Sequence, residues 1–553
     1  MAGHADLVFV DGAVYTVDAP RTWAQAVAVR DGRIVATGTA AEIRRSIGRG
    51  TQEVDLAGRM LVPGFIDAHC HPISGGVERM HCDLTPARSA EDCLAAVKTY
   101  AGQHPGAEWI LGGGWSMPFF PGGIPVAADL DAVVPDRPAL LFNRDHHGAW
   151  VNSKALQIAG VTKDTADPVD GRIERDRQGH PTGMLHEGAA ALVERHAPAP
   201  TEDDVYEGLL EGQRYQHSFG VTGWQDAIVG REFAGIDTFP VYLRAVEEGA
   251  LTAKVVGALW WERGAGLEQL EEFKLRREQA SEGRFRATSV KIMQDGVAEN
   301  FTAGMIDDYL DDRGNPSGNR GLSFFDPKEL AGFVVAADAE AFQVHFHAIG
   351  DRAVRECLDA VAAARAANGM NDLRHHISHI QVIHPDDVPR FRDLGVAANA
   401  QALWACMEDQ MRELTIPFLG PERSGWQYPF GSLVRSGAAL VAGSDWPVTS
   451  PDPLAAIHTA VNRTQAPEYE GQIVDPQPLL PHEAIELSSA LAAYTIGSAW
   501  INHAENETGS IGPGMAADLA VIDRNLFALD PRDIHEARVD MTVADGRIVY
   551  ERA

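Results

Sequence analysis

Five stretches of the sequence carry residues able to hold or use a metal ion. The first is Leu61 to His71, LVPGFIDAHCH, an apolar run that ends in His-Cys-His. Side chains alternate along a β-strand, so His69 and His71 share one face and Cys70 takes the other. Two imidazoles side by side at the end of a buried strand make half of a metal site. The same pair also arises on ordinary surface strands, so the rest of the chain must supply more. The other four stretches read SVKIMQDG around Lys291, VHFHAIGD with His345 and His347, HHISHIQ with His379, and LVAGSDWP with Asp445.

Lys291 stands out. A lysine in the middle of an apolar strand is costly as an unpaired cation. It can be neutral, it can pair with Asp295 on the same strand face, or it can be carboxylated by carbon dioxide. Carboxylation turns the cation into an anion with two oxygens, able to bridge two metal ions. The charge count favours it: two divalent cations against Asp445, a carbamate and a bridging hydroxide leave one net positive charge, suited to polarising a carbonyl. His345 and His347 share a face, and parity does not choose between them. His347 lies nearer the C-terminal end of its strand, and His345 reads as a core histidine satisfied by a hydrogen bond. On the sixth strand His379 fits the rim best, after His375 and His376, and Gln381 lies higher on the same face, within reach of a substrate. Asp445 is either a loop aspartate making an Asx-turn before Pro447 or a carboxylate that contacts metal and takes the proton of an attacking water.

These residues need a frame that brings distant strand ends together. Strand-like runs at Ile66–His71, Gly220–Gln225, Ala253–Leu259, Ser289–Met293, Gln343–His347, His376–Ile380, Val396–Ala400 and Leu440–Ser444 alternate with helical stretches such as Pro327–Ala341, Arg352–Ala367 and His482–Tyr494. Eight such alternations predict an α/β fold, a (β/α)8 TIM-like barrel whose active site lies at the C-terminal strand ends. An open doubly wound sheet is the alternative, but no GxGxxG follows a strand. Roughly five ~30-residue βαβ lengths separate the first two strands. This insertion, at about 77–215, carries GGGW with Trp115, NRDHHGAWVNSKAL with His147, and GMLHEGA. Long loops at that face usually shape substrate access. The word DGRIV occurs near both ends, each time after a short apolar run. Asp-Gly between such runs marks a hairpin, so the termini are expected to pair into one small β-sandwich. The domain reading is 1–61 and 508–553 for the two sandwich halves and 62–507 for the barrel.

Composition excludes several classes. A formal charge of −31 over 553 residues disfavours nucleic acid and anionic membrane as partners. No apolar run approaches a membrane span and no signal peptide is visible. Five scattered cysteines, Cys70, Cys82, Cys93, Cys357 and Cys406, read as reduced thiols of a cytoplasmic protein.

The motifs PGFIDAHCHP, HAIGDRAV, SHIQ, GSDWPV, NSKAL and GMLHEGA together are highly specific. On them the chain resembles the amidohydrolase superfamily, and within it the YtcJ-like branch, amidohydrolase family 3. The resemblance runs nearly end to end. It implies two divalent metal ions, with His69 and His71 on one, His347 and His379 on the second, a carboxylated Lys291 bridging them, and Asp445 as ligand and base. The family's sixth-strand motif often reads Glu-His where this chain has Ser378-His379, a change beside the ligand. Zinc suits the histidines, although iron, manganese, cobalt or nickel could serve. Trp115, His147 and Gln381 are the candidate substrate contacts. The implied reaction is metal-dependent hydrolysis of a non-peptide carbon–nitrogen bond in a small molecule: an N-acyl or N-formyl amide, or a cyclic amide. Esterase or lactonase activity on the same site, decarboxylation or isomerisation, and a non-catalytic metal-bound binding protein are the alternatives. A homo-oligomer is compatible with the sequence.

Overall fold

The computed structural model describes residues 4–233, 236–466 and 477–552. Residues 1–3 and 553 of the expected terminal halves lie outside them. Eight parallel strands follow one another in chain order: β1 (Phe65–Cys70), β2 (Val221–Val229), β3 (Lys254–Trp260), β4 (Phe285–Met293), β5 (Gln343–Ala348), β6 (His376–His379), β7 (Ala397–Ala400) and β8 (Leu440–Ala442). Most of their residues are buried, which is why they read as near-continuous apolar runs. The ring closes at the mouth, where the Asp445 N–H donates to the His69 carbonyl at 2.7 Å. Ser444 N–H donates to Asp67 Oδ1 at 3.0 Å beside it. The expected (β/α)8 barrel is therefore present, with each run placed where the alternation put it.

Helices Pro327–Ala339 and Asp351–Asn368 also form as expected. The first starts where the Asp326 carboxylate caps Lys328 N–H and Pro327 takes the first turn. The expected helix over 482–494 does not form as one piece. A single turn at Pro481–Glu483 is separated from the helix Leu487–Ala492. Glu483 is drawn aside, its two oxygens accepting from Ser432 N–H and Oγ–H at 2.6 Å each.

Helices Pro72–Met80 and Glu202–His217 bracket the insertion and pack directly on each other. The contact needs glycine. A Cβ on Gly76 would overlap the Gly208 carbonyl oxygen, and one on Gly212 would overlap the Pro72 carbonyl. Backbone cannot yield as a side chain can. Gly76→Ala is expected to cost about 2 kcal/mol and to lower the melting temperature by several degrees in calorimetry. An unchanged melt would remove this helix contact from the account.

Between these helices the chain builds a six-stranded sheet from Cys82–Asp83, Ile110–Trp115, Ala139–Asn143, Gly148–Val151, Pro181–Glu187 and Gly171–Arg175. It has its own apolar core, in which Trp115, Phe120, Leu141 and Trp150 are buried. The terminal segments meet as expected. Met60–Pro63 pairs antiparallel with Leu519–Ile522 inside one six-stranded sheet. A four-stranded sheet from the N-terminal segment packs on it, and Phe9, Val29, Leu519 and Val543 share the core between them. The two Asp-Gly turns touch: a Cβ on Gly32 would stand 2.9 Å from the Asp545 carbonyl oxygen. Lys254, at the foot of β3, pins the sandwich to the barrel through Asp518 at 2.8 Å and Asp545 at 2.7 Å. Among the described residues, no helix is long and apolar enough to cross a membrane.

Candidate active site

The C-terminal mouth of the barrel gathers the histidines around one carboxylate. Asp445 Oδ1 lies 3.0 Å from His69 Nε2 and 3.1 Å from His71 Nε2, and its Oδ2 lies 3.8 Å from His379 Nδ1. One ligand atom each from His69, His379 and Asp445 falls within 4.8 Å of the others. The His347 ring is 4.4 Å from that of His379, centre to centre. His347 Nε2 donates to the Gly296 carbonyl at 3.3 Å. Two of these residues hold left-handed backbone, His379 with φ 78° and Asp445 with φ 58°. A non-glycine residue there stores strain that the surrounding structure must sustain. The effect is to turn both side chains inward from the ends of β6 and β8.

Behind His69 the ring is fixed. Its Nδ1 is 2.7 Å from His345 Nε2 and 2.8 Å from Ser378 Oγ. His345 is thus the hydrogen-bonded core histidine expected, and Ser378 does the orienting that metal-ligating imidazoles commonly receive. Lys291 is buried and lines the same cavity. Its Nζ makes no hydrogen bond or ion pair with the described residues. The pairing with Asp295 considered from the sequence is absent. Asp295 instead accepts from the N–H groups of Gly304, Ile349 and Gly350 at 2.8, 3.0 and 2.9 Å.

Burial sets the charges. It holds the imidazole of His69 down to about 3 and those of His347 and His379 well below the usual range, so these rings are neutral lone-pair donors. Burial opposes ionisation of Asp445, but the His69 and His379 rings and hydrogen bonds from His69 and His71 hold its carboxyl well below the usual range. Burial also pulls Lys291 down to about 7, with Asp445 opposing.

A cavity of about 410 Å³ opens above this floor. Its walls include Arg263 and Trp260 from the end of β3, Trp404 after β7, and His147 and Glu187 from the insertion. Trp404 stacks on His379 with ring centres 5.1 Å apart. His147 Nδ1 meets Glu187 Oε2 at 2.8 Å. Burial disfavours the charged ring, yet Glu187, with Asp145 and Asp445, lifts His147 to about 9. Two expected substrate contacts lie elsewhere. Trp115 is fully buried in the insertion's core, its Nε1–H donating to the Leu141 carbonyl at 2.9 Å. Gln381 turns its amide to Gln427 Oε1 at 3.1 Å and lines a small neighbouring pocket. Glu187, Arg263 and Trp404 carry no signal of this role in the sequence: Glu187 alone falls within a motif, GMLHEGA, and nothing local there says which strand it faces.

A family model described as "Amidohydrolase family" matches residues 52–550. The chain belongs to the amidohydrolase family. Among its relatives, a putative amidohydrolase YtcJ of Bacillus subtilis is 31% identical over 98% of this chain and 99% of the relative. An N-substituted formamide deformylase of Arthrobacter pascens is 27% identical over 100% and 99%. A solved structure titled as an uncharacterized metal-dependent hydrolase from Pyrococcus furiosus matches with TM-score 0.70 and 26% identity, covering 95% of this chain and 99% of that one. The resemblance to the YtcJ-like branch therefore holds across the chain.

A divalent metal is implied by this family, and the amidohydrolase floor fits one. His379 Nδ1 is buried without a hydrogen-bond partner, and His69 Nε2 turns to Asp445 at 3.0 Å. Both face a carboxylate, and both rings are neutral. Neutral imidazoles converging on a carboxylate can hold a divalent cation between them once their facing nitrogens shed a proton.

Proposed function

We propose that this amidohydrolase cleaves a non-peptide carbon–nitrogen bond in a small amide, with N-formyl and N-acyl amines the first class to test. The observation that carries the reading is the Asp445 carboxylate held at 3.0 and 3.1 Å from two histidines on the floor of the cavity. The similarity to a formamide deformylase supports the choice of bond. His69 and His71 would hold one divalent ion and His347 and His379 a second, with Asp445 reaching the first and a carboxylated Lys291 between them. Zinc suits these donors. Bound there, the metals would lower the pKa of a water and polarise the substrate carbonyl.

The protein's own part is proton handling. Asp445 takes a proton from the attacking water as its oxygen bonds to the carbonyl carbon. When the carbon–nitrogen bond breaks, the electron pair leaves with nitrogen, and Asp445 returns the proton to it. A carboxylic acid and an amine result. Lys291 is made ready by its surroundings. Its uncharged amine can attack carbon dioxide, forming a nitrogen–carbon bond and releasing one proton, and the anionic product removes the cost of a buried ammonium.

Chelation is expected to abolish turnover, and restored zinc to return it, on a panel of N-alkyl formamides, N-acyl amines, lactams and esters. Amine release from the amides is the expected product. Wild-type turnover after complete metal removal would end the metal-dependent reading. Hydrolysis of esters alone would move the activity to the esterase alternative.

A further inference from the structure

We propose that His147 is a catalytic residue of this site, its Nε2–H hydrogen-bonding the substrate carbonyl oxygen as negative charge builds there, and that Glu187 is its positioning residue. The inference rests on the hydrolase reading above. It begins with two stretches of the insertion that the metal floor does not use, NRDHHGAW and GMLHEGA. Antiparallel pairing sets Gly148 opposite His186, so His147 and Glu187 are the next cross-strand neighbours. Glu187 N–H donates to the His147 carbonyl at 2.9 Å, and His147 Nδ1–H donates to Glu187 Oε2 at 2.8 Å.

The barrel holds the pair from the other side. Thr302 Oγ–H donates to Glu187 Oε1 at 2.7 Å, and Asn300 Nδ2–H donates to the His147 carbonyl at 3.2 Å. Glu187 has left-handed backbone, φ 51°, the strained geometry that brings its carboxylate back toward the ring. A pair that only joined two domains could lie anywhere along their contact. This one lines the cavity wall, its ring 5.9 Å from that of His347. With Nδ1 committed to Glu187, Nε2 is the ring nitrogen left for a ligand. The Glu187 carboxylate, 2.8 Å from Nδ1, pairs with a protonated ring, which leaves Nε2 with a hydrogen to give. The proton stays on His147 throughout, because the role is a hydrogen bond to the oxyanion.

The test uses metal-reconstituted full-length protein with His147→Leu, His147→Gln and Glu187→Gln. For His147→Leu, kcat on the best panel substrate is expected to fall about 100-fold, with KM nearly unchanged and metal content by elemental analysis equal to wild type. His147→Gln, which keeps an N–H near the Nε2 position, is expected to retain more activity. Glu187→Gln should lose about tenfold and shift the pH profile, which a merely structural pair would not do. Formate, a small oxygen anion, serves as a probe independent of turnover, and His147→Leu should bind it about tenfold more weakly. Unchanged kcat and formate affinity in His147→Leu would overturn the proposal, as would loss of metal. A wild type that binds formate through His147 yet hydrolyses nothing on the panel would sink the hydrolase reading alone.

Discussion

Asp445→Asn is expected to lower turnover by about three orders of magnitude. The amide keeps the size of the side chain and loses both its charge and its capacity to take a proton. Two effects compound. The attacking water has no base within reach, because His69 and His379 would themselves be occupied with metal. The first metal also loses its anionic partner, so its affinity should fall while the histidines still hold it. The fold should survive, since the bond that closes the barrel mouth here uses the Asp445 backbone N–H and the His69 carbonyl. Steady-state rates at saturating zinc, elemental analysis and a thermal melt separate these effects. Turnover within tenfold of wild type at full occupancy would take Asp445 out of proton transfer.

Lys291→Met should be nearly as damaging, with a loss of about two to three orders of magnitude. Methionine fills the buried stem of the lysine and removes the amine. If a carbamate bridges the metals, the variant should hold fewer ions per chain than wild type. With labelled bicarbonate, the wild type should show a carbamate carbon signal that the variant lacks. A merely neutral lysine would give neither change. Equal metal content, rates near wild type and no carbamate signal in the wild type would restrict Lys291 to packing.

The sequence carried most of the frame because strands buried on both faces announce themselves, and eight alternations of strand and helix leave little room for another topology. The gathering of His69, His71, His379 and Asp445 was legible for the same reason: barrel chemistry lies at strand ends. What failed was parity past the rim. His379 and Ile380 both take positive φ, so alternation breaks there and Gln381 no longer follows His379 into the cavity. Trp115 misled differently, since a glycine-rich approach to a tryptophan looks like a loop at a binding site, while its indole N–H found a carbonyl inside a second core. The pairing of His147 with Glu187 joins positions forty residues apart through a strand register that nothing in either stretch specifies. Long-range antiparallel register is set by tertiary packing, and local sequence does not encode it.

The joining of Met60–Pro63 to Leu519–Ile522 has a consequence for how the protein is made. The strand that leads straight into β1 has Ala13–Tyr15 on one edge, but its other edge finds a partner only in Leu519–Ile522, made after every barrel strand. Until then that one edge is open at the entrance of the nascent barrel. Sealing of that edge therefore waits on Leu519–Ile522, and this amidohydrolase should rely on chaperone protection longer than a barrel whose entry strand is sealed locally on both edges.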